Sequence, residues 1–294
     1  MKHLGELRYC LGLEILRDSG QSFLSQAYVK SLLEKFRMDQ FKPLVVPLQH
    51  NIKLQYEDGS KAADATLYRK LVGSLIYLTT TRPDLAYVVS VLIKFMSKPL
   101  ESHSNAVKSV LRYLQGTVDY GIIYIDSSYV RLARYVDLDW ARNVDDHRPI
   151  TGYAFSLGSR VSTWSSKKQN TVSLSSVEVE YQAMCVAMSE AVWLWGLLHD
   201  VGKEQTVATT IRCDNQISIK LANNQVFHKN TKHIDTQFHF DREKVKSKEI
   251  HLEYCNTCDN IANIFTKPRG KVKFQMLREM LGIYVNPFSI KGEC

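Results

Sequence analysis

The period of the apolar residues changes once along this chain, and that change limits the folds open to it. Up to about residue 115, apolar side chains recur at helical spacing: Val29, Leu32, Leu33 and Phe36 in one stretch, and Val107, Val110, Leu111 and Leu114 in another. Helices are predicted over "QAYVKSLLEKFRM", "DATLYRKLVGSLIYLTTT", "PDLAYVVSVLIKFMSKP" and "SHSNAVKSVLRYLQGT", with Pro83 at a helix start and Gly116 as a stop. A hairpin turning at Arg17-Asp18-Ser19-Gly20 opens the chain. After Gly121 the pattern becomes strand-like. "GIIYIDSSYVRLARYVDLDW" reads as a hairpin-like pair of strands and "PITGYAFSLGSRVSTWSS" as two more. A long helix over "SLSSVEVEYQAMCVAMSEAVWLWGLLHDVG" follows, then strand "ATTIRCDN", helix "QISIKLANN", helix "TKHIDTQFHFDREKVKSK", strand "EIHLEYC", and a last helix opening at "NIANIFTK". That order is α/β, and the boundary with the helical first part is expected near Tyr120–Val130.

Within the second part the acidic residues carry the chemistry. "RYVDLDWARN" nearly spells Tyr-Val-Asp-Asp, the carboxylate pair of a reverse transcriptase, but Leu138 separates Asp137 from Asp139. On a strand both aspartates point to one face, with Val136, Leu138 and Trp140 on the other. The segment alone fits a metal site or a strand with acidic edges. In "SSVEVEYQAM", helical steps from Glu180 reach Val177, Met184, Met188, Ala191 and Trp195, so Glu180 rides the apolar face. A carboxylate there is costly unless it is paired or holds a cation. Glu178 lies on a more polar face and reads as a solvated acid of the first turn. Asp214, in "TTIRCDNQ", falls where a strand ends and a helix begins, a position that suits an N-cap and a site alike.

The bulk of the chain narrows the partners. Its 294 residues carry a net charge of +8, which favours a polyanion such as nucleic acid. The six cysteines (Cys10, Cys185, Cys213, Cys255, Cys258 and Cys294) sit mostly in apolar runs. One C-x-x-C, Cys255 and Cys258, lacks a second pair at zinc spacing, so a reducing, intracellular setting is expected, cytoplasmic or nuclear. No signal-type segment and no run near the ~18 apolar residues of a membrane span is present, so no membrane partner is expected.

Several long motifs in order resemble one family. "YVDLDWARNVDDHRPITGYAFSLGSRVSTWSSKKQNTVSLSSVEVEYQAM", "IRCDNQISIKLANNQVFHKNTKHIDTQFHFDREKV" and "LEYCNTCDNIANIFTKP" are similar to the ribonuclease H domain of copia-type retrotransposon Pol polyproteins. "MKHLGELRYCLGLEI", "LVGSLIYLTTTRPDLAYVVS" and "LRYLQGTVDYG" resemble the part of the same polyprotein's reverse transcriptase that follows its active site. The resemblance implies three regions: residues 1–125 as a mostly helical thumb and connection remnant, 126–285 as a ribonuclease H-like domain, and 286–294 as a tail. It implies a five-stranded mixed sheet with flanking helices, hydrolysis of the RNA strand of an RNA–DNA hybrid, and two Mg2+ ions, for which Mn2+ can substitute. Virus-like particles are the implied setting if the element is active, and the rest of a Pol polyprotein an implied partner.

Carried over by position, the resemblance makes Asp137, Glu180 and Asp214 the metal ligands and catalytic residues. Asp139 matches a family aspartate not usually counted as a ligand. The fourth ligand departs: the family pattern Leu-Ala-Asp-Ile-Leu-Thr-Lys reads Ile261-Ala262-Asn263-Ile264-Phe265-Thr266-Lys267 here, so Asn263 stands as a degenerate fourth position. Three carboxylates offer less charge to hard divalent ions than four, and slower hydrolysis is expected. The alternative is a non-catalytic nucleic-acid-binding remnant, or the relic of a decayed element. No adjacent aspartate pair with strand flanks occurs in residues 1–130, and Asp145-Asp146 lies in a polar loop, so no polymerase activity is expected of this chain alone. Lys167 and Lys168 are candidate contacts to hybrid phosphates, with Arg212 and Lys232 as weaker candidates. His233, Asp235 and His239 are read as packing residues, and Trp140, Trp164, Trp193 and Trp195 as core.

Overall fold

The computed structural model describes residues 5–126, 132–139, 149–169, 176–223 and 243–288; the side chains of residues 138–139, 176–182 and 221–223 lie outside that description. The chain forms two compact units, Met1–Asp126 with Pro268–Cys294, and Ser127–Lys267.

The first unit joins a sheet to helices. Strands β1 (Tyr9–Cys10), β2 (Leu13–Asp18), β3 (Gln21–Ser25) and β4 (Tyr120–Ile125) are followed, at the sheet's far edge, by β10 (Ile283–Val285), in the order β1-β2-β3-β4-β10 and antiparallel throughout. Between β3 and β4 come α1 (Tyr28–Lys35), α2 (Ala65–Leu78), a 3-10 turn (Pro83–Leu85), α3 (Ala86–Ile93) and α4 (Glu101–Gln115). Asp64 caps α2, its carboxylate accepting from the amides of Thr66 (2.8 Å) and Leu67 (3.0 Å). Leu32, Val72, Leu75, Leu92, Val107 and Val110 are fully buried, the outcome of the helical spacing of apolar residues. At Gly121 a Cβ would lie 2.4 Å from the Leu24 carbonyl oxygen and 2.6 Å from the Phe23 ring, so β3 and β4 approach this closely only over glycine.

A buried polar network locks this core. Arg82 donates to both carboxylate oxygens of Asp84 (3.0 and 2.8 Å) and to the Thr117 carbonyl (3.0 Å). Tyr113 donates its hydroxyl to the same carboxylate and accepts from Arg278 at 3.3 Å. Arg278 lies on α7 (Lys271–Met280), which also buries Phe274 and Leu277.

Two expectations are corrected here. Residues 268–285 were assigned to the ribonuclease H-like region and 286–294 to a tail, yet α7 and β10 belong to the first unit. β10 pairs with β4, the Asn286 amide donates to the Asp119 carbonyl, and Phe288 meets Phe23 edge-on. Likewise, β4 does not form a hairpin with the strand that follows it: it pairs with β3, Leu24 opposite Ile122. Alternation of apolar residues marks a strand but carries no information on which strand it pairs with.

The second unit is a five-stranded mixed sheet. Strands β5 (Leu132–Asp139), β6 (Ile150–Leu157), β7 (Arg160–Lys168), β8 (Thr209–Cys213) and β9 (Ile250–Tyr254) lie in the order β7-β6-β5-β8-β9. The pairs β5–β6 and β6–β7 are antiparallel; β5–β8 and β8–β9 are parallel. Helices α5 (Ser176–Asp200) and α6 (Gln216–Asn223) accompany it among the described residues. On one face of β5, Leu132 and Val136 pack with Met184, Met188, Ala191 and Ile211. Trp195 is partly buried and donates to the Thr209 hydroxyl at 2.7 Å. Trp193, expected in the core, is 59% exposed, because it lies between the buried positions Ala191 and Leu194 on the opposite side of α5. The segment at "NIANIFTK" is a 3-10 turn, Ile261–Phe265, rather than the start of a longer helix, and Pro268 follows it closely.

Candidate functional site

β5 and β8 are parallel neighbours with Val136 beside Cys213. The next residues, Asp137 within β5 and Asp214 just past β8, therefore occupy neighbouring positions near the carboxyl ends of adjacent strands, at a strand separation of about 4.8 Å. Carboxyl ends of this kind are where α/β sheets assemble sites.

Asp137 is only 3% exposed. Its Oδ2 accepts a hydrogen bond from the Thr266 hydroxyl and lies 3.6 Å from Lys267 Nζ. Asp214 Oδ1 accepts from Asn260 Nδ2 at 3.4 Å; the same amide donates to the Val136 carbonyl at 2.8 Å. Asn260 also caps the 3-10 turn, its Oδ1 accepting from the Ala262 amide at 3.1 Å. One buried asparagine thus ties the turn to the ends of β5 and β8. The Cys255 thiol reports the local potential: burial first, then the negative charge of Asp214, with Asp137 and Asp259 adding and Arg212 opposing, pushes its pKa up to about 12. Of the C-x-x-C pair, Cys255 is buried and Cys258 exposed.

Gly152 brings the turn this close. It pairs with Asp137 across β5 and β6. A Cβ on Gly152 would fall 2.7 Å from Thr266 Cγ2, 2.8 Å from Phe265 Cβ and 3.0 Å from the Ala262 carbonyl oxygen. The turn packs directly on the bare backbone of β6, and Thr266 reaches Asp137 from there.

Asn263, the degenerate fourth position, is fully buried in that turn. Its Nδ2 donates to the carbonyls of Thr257 (2.8 Å) and Asn260 (3.0 Å). Its amide nitrogen is therefore spent on the backbone of its own loop. Glu180 lies in the first turns of α5, one turn before the buried Met184; its carboxylate is outside the described residues. Asp139 ends β5, with its side chain likewise outside. His233, Asp235, His239, Lys232, Trp140 and Asp145-Asp146 fall outside the described residues altogether. Arg212 is engaged by Glu253 at 3.0 Å.

Lys167 and Lys168 end β7, in register with Thr151 and Ile150, which in turn face Leu138 and Asp139. The two lysines therefore lie toward the same end of the sheet as the aspartates, two strands away, or about 10 Å. The strand predicted to end at Ser166 extends through both lysines.

Reasoning from sequence passed over Gly152, Asn260, Thr266 and Lys267. A signal for the last two was present, since the family pattern itself ends in Thr-Lys. Among the described residues no group of three or more His, Cys, Asp or Glu is placed to hold a metal. Two hard, anionic oxygen donors side by side, Asp137 and Asp214, fit a divalent cation of the magnesium type. Asn263, with its amide donating to carbonyls, does not fit the role of a charged fourth ligand.

A central strand with antiparallel neighbours on one side, parallel ones on the other, and carboxylates at the strand ends define a ribonuclease H-like domain. The comparisons agree in sequence. The chain is 39% identical over 293 residues to the retrovirus-related Pol polyprotein from transposon RE2 of Arabidopsis thaliana, covering 99% of this chain and 20% of that protein. It is 39% identical over 279 residues to the corresponding polyprotein from transposon RE1 of the same plant, covering 95% of this chain and 19% of the relative. The chain belongs to the Pol polyprotein family of copia-type retrotransposons. It spans about a fifth of the length of these curated relatives. Among solved structures it resembles a ribonuclease H1 isolated from compost by a metagenomic approach, at 14% identity and a TM-score of 0.36, covering 46% of this chain and 92% of that one. No family model matches the chain. No helix among the described residues is long and apolar enough to cross a membrane.

Proposed function

We propose that residues 127–267 form a ribonuclease H-type nuclease domain that hydrolyses the RNA strand of RNA–DNA hybrids with divalent metal. The observation that carries this reading is the adjacency of Asp137 and Asp214 at the carboxyl ends of two parallel strands, within a Pol polyprotein sequence. Asp137, Asp214 and Glu180 would hold Mg2+, with Mn2+ as a substitute; bound there, the metal supplies an activated water and neutralises charge on the phosphate under attack. Thr266 orients Asp137 through its hydroxyl, and Asn260 fixes Asp214 relative to β5. Lys167 and Lys168, toward the same end of the sheet, bind hybrid phosphates, which sets affinity and orientation without reading sequence. Residues 1–126 with 268–288 are the reverse-transcriptase remnant, contributing no polymerase site of their own, and the setting is intracellular, cytoplasmic or nuclear.

A second reading is favoured by a specific observation. Asn263 gives its amide to two carbonyls where the family has a carboxylate, which supports a domain that retains hybrid binding but has lost hydrolysis. One assay separates the two. Incubation of the purified chain with a labelled RNA–DNA hybrid in Mg2+ or Mn2+ gives RNA fragments if the first reading holds, and none with Asp214→Asn. Hybrid retained without cleavage by the unaltered chain supports the second.

A further inference from the structure

Lys267 has no part in the family's ligand set as carried over to this chain, yet it sits against Asp137, the more buried of the site's two described aspartates. Its Nζ is 3.6 Å from Asp137 Oδ2, with the Lys267 side chain 20% exposed and that of Asp137 3%. Its position is not incidental to a mobile surface chain. Thr266, the preceding residue, is 1% exposed and donates to the same oxygen. The turn that carries both is seated on Gly152 and tied to β5 by Asn260.

We propose that Lys267 is a built-in counter-cation of Asp137, which takes one of the positive-charge positions of the site. The chain then binds a single divalent ion, and binds it against repulsion from the Lys267 ammonium. This inference rests on the metal-dependent reading above. The charge balance supports it. Carboxylates at Asp137, Glu180 and Asp214 with an ammonium at Lys267 leave two net negative charges, which one divalent ion neutralises. With a fourth carboxylate at position 263 the balance would differ; Asn263 removes it. In a poorly solvated site, like charges a few ångströms apart repel far more strongly than in water. Lys267 is a positioning residue in this account: it acts on the metal through Asp137 and need not touch substrate.

Calorimetric titration of Mn2+ into the full chain tests the proposal without relying on turnover. The unaltered chain is expected to take up one ion. Lys267→Met, which keeps the length of the side chain and removes its charge, is expected to bind Mn2+ on the order of ten- to a hundredfold more tightly. Lys267→Arg keeps the charge and should behave as the unaltered chain, a rescue that a packing role alone would not distinguish by charge. Asp137→Asn should weaken binding in every background. If Lys267→Met does not fold, as judged by its circular dichroism melt, Lys267→Gln carries the same expectation. An affinity for Mn2+ within about twofold of the unaltered chain in the folded neutral variant overturns the role of Lys267 and leaves the metal-dependent reading standing, as does an uptake of two ions by the unaltered chain. Absence of Mn2+ binding in both the unaltered chain and the neutral variant overturns the proposal together with the reading beneath it.

Discussion

Restoring an aspartate at position 263 looks, on the family pattern, like repair of the metal site; the local hydrogen bonds say it carries a cost. Asn263 is fully buried and its Nδ2 donates to the Thr257 and Asn260 carbonyls at 2.8 and 3.0 Å. A carboxylate cannot donate. In Asn263→Asp two hydrogen bonds worth about 1 kcal/mol each are lost, and two buried carbonyls are left facing a negative charge, so a loss of about 3 kcal/mol or more is expected in EDTA. Asn263→Ala loses the same two bonds without the charge and should lose less. Divalent metal should then separate the variants. If the new carboxylate turns to a bound ion, Mg2+ at a hundred times its dissociation constant for the variant returns about 2.7 kcal/mol to Asn263→Asp, while Asn263→Ala, with only the three original carboxylates, binds the ion more weakly and regains less at the same Mg2+ concentration. Urea unfolding followed by circular dichroism, with and without Mg2+, measures all four quantities. An Asn263→Asp chain as stable as the unaltered one in EDTA refutes the reasoning, because it would mean that the amide donors do no structural work.

Other consequences follow from the packing. Asp84→Asn strands the fully buried Arg82 guanidinium and should cost the first unit about 3–5 kcal/mol in denaturant unfolding. Burial alone would raise the Asp84 pKa, but the Arg82 guanidinium, with Tyr113 and Arg278, holds it below the ordinary carboxylate range. The pair's contribution is therefore present above the unfolded carboxylate pKa of about 4 and lost as pH falls toward the lower folded value, which an acid titration of stability in the unaltered chain, compared with Asp84→Asn, would detect. Gly152→Ala should cost about 1–3 kcal/mol and loosen Thr266 from Asp137, since the added Cβ meets the turn at 2.7–3.0 Å; an unchanged unfolding midpoint would count against the close seating of the turn. Arg134 is fully buried, stacks over Tyr153 and Phe155, and leaves Nε and Nη2 without hydrogen-bond partners among the described residues, so Arg134→Met is expected to be neutral or to stabilise by about 1–4 kcal/mol.

Much of the fold was legible because it depends on local pattern. The alternation in "LARYVDLD" and the 3.6-residue stripe from Met184 to Ala191 each follow from burial of one face, and β5 and α5 form where those patterns lie. What stayed hidden depends on distant partners. β4 carries the same alternation whether it pairs with β5 or with β3, and only the fold assigns it to β3 and β10. The return of α7 to the first unit rests on Arg278 meeting Tyr113, 165 residues away in sequence. In the site, the strand-end position marked Asp214, whereas Asp137 was singled out as a ligand only by the family resemblance. Gly152, Asn260, Thr266 and Lys267 were not found, because their roles are close approaches between β6, a 3-10 turn and a strand end that no sequence spacing encodes. Trp193 was read as core, although the helical period set by the buried Ala191 and Leu194 places it on the outer side of α5.

Anomalous diffraction from crystals of this chain grown with Mn2+ tests the central claim most directly. A peak lying about 2.0–2.6 Å from carboxylate oxygens of both Asp137 and Asp214 is the predicted result. Manganese bound only elsewhere, or not at all, with both carboxylates ordered, would contradict a divalent-ion site at the ends of β5 and β8.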